Sequence, residues 1–464
     1  MKPLALVLLP AALSALLASG CDSAATTPLP AWPAATCGVP ATTWLPRAQV
    51  GHVVSWADAQ RTLLTAPTID VLIAAAGASE LFAPAAHGIQ MFTLRYTTQD
   101  RGRPVEATGL VAVPWDDGQP AQSFPVVLFT HGTTGFMGAC APSHTQGDGD
   151  VFPLLLLASL GYVVVAPDYI GLDAGADFTQ PPAVRHNYLG VEQTAIGSLD
   201  MVRAARELLG GGKVETMARP TTNVILWGGS QGGHAVFAND LVAPYYAPEL
   251  TVRAAVALVP ATDLVGLAEY ALGSVNDATG AFAAMLTTMH YWYGEQAALD
   301  TVLTTTAPWS FATEVPSAIY GGCDASGKFD GVTAVTDVYQ PDFIAAVTSG
   351  QATSVSPWGC YLAENSVPWT SIQKVRTTPT LFVTSGNDTL IHTPVERADF
   401  PRLCGMGYAL QYLECEGAQH PEGAVWSLPE QVAWVKDRLA GKPIAAADLC
   451  VLKPAVRCSA QPQP

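Results

Sequence analysis

Ser230 is a lone hydroxyl among glycines. It sits in Gly228-Gly229-Ser230-Gln231-Gly232, after the apolar run "NVILW" (223–227) and ahead of "AVFANDLVAPYY" (235–246). A serine hydroxyl is a poor nucleophile at neutral pH. It needs a base, and the base needs an orienting carboxylate. G-x-S-x-G on a strand-to-helix turn meets the first requirement of such a nucleophile, because the tight turn holds the hydroxyl clear of the backbone. The flanking residues must be small, so that strand and helix approach closely around a strained residue. The plainer alternative is a glycine-rich turn with a passive serine. The placement between strand and helix favours the nucleophile.

Downstream, the candidate bases are His290, His392 and His420. His290 lies in "MHYWYG", amid aromatics that suit packing or a pocket wall. His392 stands four residues beyond Asp388, on the same loop. His420 follows the last apolar run in "CEGAQHPEG", a loop with small residues on both sides, where the base belongs in the chain order serine, acid, histidine. Asp388 ends "LFVTSGND" at a strand tip and is the preferred acid. Asp263 is its rival, while Glu414 and Glu416 sit in or beside a strand and look unable to reach. A developing oxyanion needs N–H donors. Gln231, directly after the nucleophile, is expected to give one, and Thr133 in "THGTTG" (130–135) the other, with Thr134 next. His131 precedes the serine and is expected to shape its own loop by hydrogen bonding.

The elements that must hold these residues are legible. "PVVLFTHG", "YVVVAPDYIG", "NVILWGG", "RAAVALVPA", "PTLFVTSGND" and "ALQYLECEG" are continuous apolar runs, as strands buried on both faces require. Helical spacing lies between them, at 152–161, 188–210 and 424–441. Residues 89–113 alternate, predicting two antiparallel strands around a turn at Asp100 to Pro104. The reading is an α/β fold: a mostly parallel sheet flanked by helices, with an antiparallel start. Residues 265–375 break the rhythm and predict an inserted, mainly helical cap.

The set "HGTTG", "APDYIGLD", "GGSQGG", "SGNDTLIHTPV" and "GAQH" resembles the secretory lipase family of α/β-hydrolases, over roughly residues 90–440. The resemblance implies an α/β-hydrolase fold, a Ser-Asp-His triad on Ser230, Asp388 and His420, a helical cap over an acyl pocket, and hydrolysis of carboxylic esters through an acyl-enzyme. It implies no cofactor and no metal. An exported serine peptidase using the same triad is the alternative, and a non-catalytic surface protein of this fold a third reading.

The N-terminus carries one positive residue (Lys2), then an apolar run, then Ala18-Ser19-Gly20-Cys21. This has the form of a signal peptide and resembles the bacterial lipobox, which implies a lipid on Cys21 and attachment to a membrane of the cell envelope. Nine cysteines are present, so lipidation of one leaves eight, enough for four disulfides in an oxidising compartment. Their pairing is left open. No cysteine–histidine spacing suits zinc. "QGDGDVF" and "CDASGKFDG" lack the closing glutamate of a calcium loop and read as polar surface turns. Hydrophobic residues make up 49% and charged residues 13%, which supports a large core. The net charge of −17 repels phosphate backbones and argues against nucleic acid. The expected organisation is a signal peptide (1–20), a lipidated N-terminus and tether (21–60), core (61–264), cap (265–375), core again (376–445) and a C-terminal tail (446–464). The partner is a small-molecule or lipid ester; the oligomeric state is open.

Overall fold

The computed structural model describes residues 29–75, 84–175, 183–294, 297–306, 308 and 310–462. The signal segment and Cys21 lie outside them. Nine strands of the described residues form one sheet: β1 (Val53–Leu64), β2 (Gly88–Asp100), β3 (Arg103–Trp115), β4 (Gln122–Thr130), β5 (Val163–Pro167), β6 (Ala218–Gly229), β7 (Thr251–Leu258), β8 (Pro379–Ser385) and β9 (Ala409–Cys415). Their spatial order is β9-β8-β7-β6-β4-β5-β3-β2-β1. Strands β1, β2, β3 and β5 pair antiparallel in that succession, and every pair from β5 to β9 is parallel. The expected mostly parallel sheet with an antiparallel start is therefore the fold observed.

The unbroken apolar strands are buried on both faces because helices cover both. Val126 and Leu128 of β4 join one core, with Leu199 and Val202 of α3 (Val191–Gly210) and Val236 and Leu241 of α4 (Gln231–Tyr246). Val127, between them in β4, joins the opposite core, with Leu154 and Leu157 of α2 (Asp148–Ser159) and Val432 and Val435 of α10 (Leu428–Leu439). The period of two decides which core each residue enters. Each such side chain contributes roughly 1.5–3 kcal/mol by leaving water. The aspartates of "QGDGDVF" thus open helix α2 rather than form the polar turn expected of them.

At β4 the chain order reverses. The next strand, β5, lies on one side and β6 on the other, with Thr130 registered against Gly228. Open α/β sheets place their sites at the C-terminal ends of the strands flanking such a point. Ser230 follows β6 there.

The stretch expected as a tether is fastened to the fold over its described part. Trp32 and Trp44 pack against each other with ring centroids 4.7 Å apart, and Trp44 stands edge-on to Tyr246 of α4. Cys37 is bonded to Cys360. Strand β1 runs across the expected boundary at residue 60 and pairs with β2. The proline and alanine content suggested a tether; the two indoles supply the burial that content concealed. Edge strand β1 was hidden because polar residues such as Ser55, Asp58 and Gln60 interrupt it, so it lacks the apolar run of an inner strand.

Between β7 and β8 the chain forms α5 (Leu264–Gly273), α6 (Ala278–Tyr293), α7 (Phe311–Ile319) and α8 (Trp358–Glu364), with shorter helical turns, around a second core that includes Phe282, Met285, Phe311 and Trp358 and is shared with Phe136, Tyr188 and Ile391 of the sheet's loops. Two disulfides bind this segment to the rest: Cys37–Cys360, to the N-terminal strap, and Cys140–Cys323, to the loop after β4. Cys404, on α9 (Thr393–Gly405), pairs with Cys450, and Cys415, the last residue of β9, with Cys458. The C-terminal segment is thereby strapped to the sheet edge.

Helix α4 carries a fully buried histidine, His234, whose Nε2 lies 2.8 Å from the Asn365 carbonyl oxygen. Burial pushes its pKa down to about 4. The unfolded chain binds a proton here near pH 6.5 while the folded chain does not. This residue therefore adds a stability that is full above pH 6.5 and falls as pH drops towards 4. His234→Gln keeps a donor for the carbonyl but removes the titration. It is expected to melt below the wild type at pH 7, with the gap narrowing at pH 4.5. A gap independent of pH would contradict this assignment.

Candidate active site

Ser230 has φ 58° and ψ −119°, left-handed backbone that a residue with a side chain rarely adopts. The turn is held by hydrogen bonds on both sides. The Ser230 N–H donates to the Leu258 carbonyl (2.9 Å), and its carbonyl accepts from the His234 N–H (3.1 Å). The surrounding glycines answer to contacts. A Cβ on Gly228 would fall 2.2 Å from Thr130 Oγ1, and one on Gly232 would fall 1.9 Å from the Thr130 carbonyl oxygen. Strand β4, the elbow and the start of α4 meet too closely for side chains.

His420 Nε2 lies 3.0 Å from Ser230 Oγ, and His420 Nδ1 lies 2.7 Å from Asp388 Oδ2. The structure thus brings the three residues into one hydrogen-bonded line, with the Asp388 side chain fully buried and that of His420 nearly so. Asp388 is fixed by its own loop: its Oδ1 accepts from the N–H groups of Leu390 and Ile391, both at 2.9 Å. The loop bearing His420 is tied to that of Asp388 by the Asn387 N–H, which donates to the Ala418 carbonyl (2.7 Å).

The rival residues are engaged elsewhere. His392 stacks on Tyr270 with ring centroids 3.9 Å apart. His290 Nδ1 lies 2.7 Å from the Ala297 carbonyl. Asp263 caps α5, accepting from the N–H groups of Val265 and Gly266. Glu414 takes the guanidinium of Arg397 and the Tyr412 hydroxyl. His131 bonds within its own loop, Nδ1 lying 2.6 Å from the Gly132 carbonyl.

Gln231 opens α4, so its N–H has no carbonyl within the helix to bond. The loop after β4 lies beside the elbow: a Cβ on Gly132 would sit 3.8 Å from Ser230 Cβ. Thr133 follows on that loop, its hydroxyl donating to the Tyr188 hydroxyl (2.9 Å).

The support behind these two residues is only partly legible in sequence, where "APDYIGLD" is expected to shape the loop beside the site and nothing points to His186. The Gln231 side chain donates from Nε2 to His186 Nε2 at 2.6 Å. That bond needs a neutral imidazole, and burial pushes His186 down to about 3. The His186 ring stacks beside Tyr169 (interplanar angle 11°), whose hydroxyl donates to the His131 carbonyl (2.8 Å). Asp168 beside it accepts from Thr108 Oγ1 (2.6 Å) and from the Ser143 N–H and hydroxyl, while burial raises its carboxyl to about 6. The "APDYIGLD" signature therefore braces the Thr133 loop from behind. No spacing rule joins Gln231 to a histidine 45 residues earlier.

Two hollows adjoin the site. A small apolar one of about 40 Å³ reaches Ser230 itself; a groove of about 460 Å³ runs past Thr133. Among the described residues no group of three or more His, Cys, Asp or Glu is placed to hold a metal, and no helix is long and apolar enough to cross a membrane.

Parallel strands that deliver a serine, an aspartate and a histidine at neighbouring C-terminal ends make the molecule an α/β-hydrolase. Solved structures agree on the fold. The rice cell wall degrading esterase LipA from Xanthomonas oryzae superposes with a TM-score of 0.65 at 20% identity, over 84% of this chain and 99% of that one. Candida antarctica lipase A in its closed state gives 0.62 at 16% identity, over 91% and 90%. The secretory lipase family matches residues 143–447, and the chain belongs to that family. Lipase A of Arthroderma benhamiae is 27% identical over 322 residues, which span 65% of this chain and 61% of that relative.

Proposed function

We propose that this chain is an exported carboxylic-ester hydrolase working through an acyl-enzyme. Ser230 Oγ attacks the ester carbonyl while His420 Nε2 takes its proton. Asp388 holds the resulting imidazolium, and the N–H groups of Gln231 and Thr133 stabilise the oxyanion. His420 then gives the proton to the departing alkoxide. Water, activated by the same imidazole, attacks the acyl-Ser230 ester and releases the acid. The observation that carries this reading is the Ser230–His420–Asp388 line at 3.0 and 2.7 Å on a strained elbow. Four disulfides and the family support export. The helical segment after β7 acts as the cap over the site, and a lipid on Cys21 anchors the enzyme to the envelope.

A fluorophosphonate probe tests the mechanism. The label is expected on the peptide containing Ser230, with loss of esterase activity in proportion. Labelling elsewhere, or full activity after labelling, would overturn the assignment. Cys21→Ser is expected to move the protein from the membrane fraction to the soluble one; unchanged fractionation would refute the anchor.

A further inference from the structure

Resting on the ester-hydrolase reading, we infer that the substrates are esters of short acids on bulky alcohols. The acyl group stays bonded to Ser230 Oγ between the two half-reactions, so it must occupy space that reaches that atom. The hollow reaching Ser230 has a volume of about 40 Å³ and is walled by Leu264, Leu267, Phe282, Met285 and Ile391. It is the narrower of the two spaces, about a tenth of the volume of the groove that runs past Thr133.

Its wall is not soft. Phe282 lies parallel to Phe343 (interplanar angle 3°) and touches Tyr339, and Phe282 and Met285 are both buried in the core of the helical segment. Close-packed interiors yield little. The segment is also bonded at two points, Cys37–Cys360 and Cys140–Cys323, so it is not hung as a free flap.

The other arm of the ester has far more room. The groove of about 460 Å³ meets the hollow at Tyr188 and Ala281, passes Thr133, and is edged by the polar groups of Asn276, Asp277 and Ser326. Ser326 is exposed, so this end opens to water. A bulky alcohol fits this wide, polar-edged space, and the narrow apolar hollow is left to the acyl chain.

The test is a series of p-nitrophenyl esters from acetate to palmitate, each below its solubility limit, on the wild type, Phe282→Ala and Met285→Ala. Wild-type kcat/KM is expected to be at least tenfold higher for butyrate than for octanoate. Each variant is expected to raise the octanoate-to-butyrate ratio at least tenfold. If neither variant folds, Ala271→Leu fills the hollow from the other side and should lower butyrate relative to acetate. Phenyl and 2-naphthyl butyrate, whose leaving groups are of similar acidity, probe the groove; the naphthyl ester should have the lower KM. A wild type that cleaves octanoate as well as butyrate overturns the pocket assignment and leaves the ester-hydrolase reading standing. A folded protein that cleaves no ester of the series overturns both.

Discussion

Ser230→Ala is expected to lower kcat on p-nitrophenyl butyrate by about 10⁶-fold, and Asp388→Asn by about 10⁴-fold. The first loss follows from chemistry, because alanine leaves His420 with no hydroxyl to deprotonate. The second follows from how Asp388 is held. Its Oδ1 accepts two backbone N–H groups, from Leu390 and Ile391. An asparagine there keeps those bonds only by placing its carbonyl oxygen where Oδ1 was, which turns its NH₂ towards His420. That NH₂ faces Nδ1 as a donor, so Nδ1 must accept and the ring proton moves to Nε2. Nε2 then carries a proton where it must receive one from Ser230. The double variant should fall little below Ser230→Ala, since the groups act as a unit. Matched thermal melts would show that both variants fold. Asp388→Asn retaining activity within tenfold of the wild type would contradict this geometry.

Much of this site was legible before any coordinates. The elbow showed itself because tight approach forces small residues, and Gly228 and Gly232 face Thr130 across distances that admit no Cβ. The apolar inner strands β4 to β9 were visible for a similarly strict reason, burial on both faces. Position along the chain separated His420 from His392 and His290, and Asp388 from Asp263. What escaped notice was held by relations that leave no pattern. The His186–Gln231 bond joins two side chains that no periodicity links. Strand β1 is an edge, free to be half polar, so its composition blurs into a loop. The four cysteine pairings depend on which surfaces meet in three dimensions. Cys37 and Cys360, 323 residues apart, are neighbours only because the N-terminal strap lies along the helical segment.

The bracing behind the Thr133 loop has a physical logic. An oxyanion hole works only if its donors are aimed before charge develops. Gln231 and Thr133, the donors proposed above, come from different elements, α4 and the loop after β4. Each is tied by its side chain to the segment 186–188, Gln231 to His186 and Thr133 to Tyr188. One short segment thus sets both sides of the site at once. The neutral state of His186 matters here, because a protonated ring would present a donor to the Gln231 NH₂. Burial keeps that state down to about pH 3.

Gly232→Ala is the sharpest steric test of the elbow. The new Cβ would lie 1.9 Å from the Thr130 carbonyl oxygen, 2.6 Å from its carbon and 2.8 Å from the His131 oxygen. All three are backbone atoms, so no rotamer change relieves the overlap. Thr130 is itself fixed by its register with Gly228 in the middle of the sheet. Either the start of α4 or the loop carrying Thr133 must shift by about an ångström. The expected result is a stability loss of about 3 kcal/mol. A displacement of that size also costs about 10²-fold in kcat, since donors and nucleophile lose their common aim. Gly229→Ala is the control. Its Cβ would meet Leu258 Cβ at 3.7 Å, an ordinary contact, so its stability should lie within about 1 kcal/mol of the wild type. Denaturant melts and kcat on p-nitrophenyl butyrate measure both variants. If Gly232→Ala matched Gly229→Ala in both, close backbone approach would not be what these glycines are for.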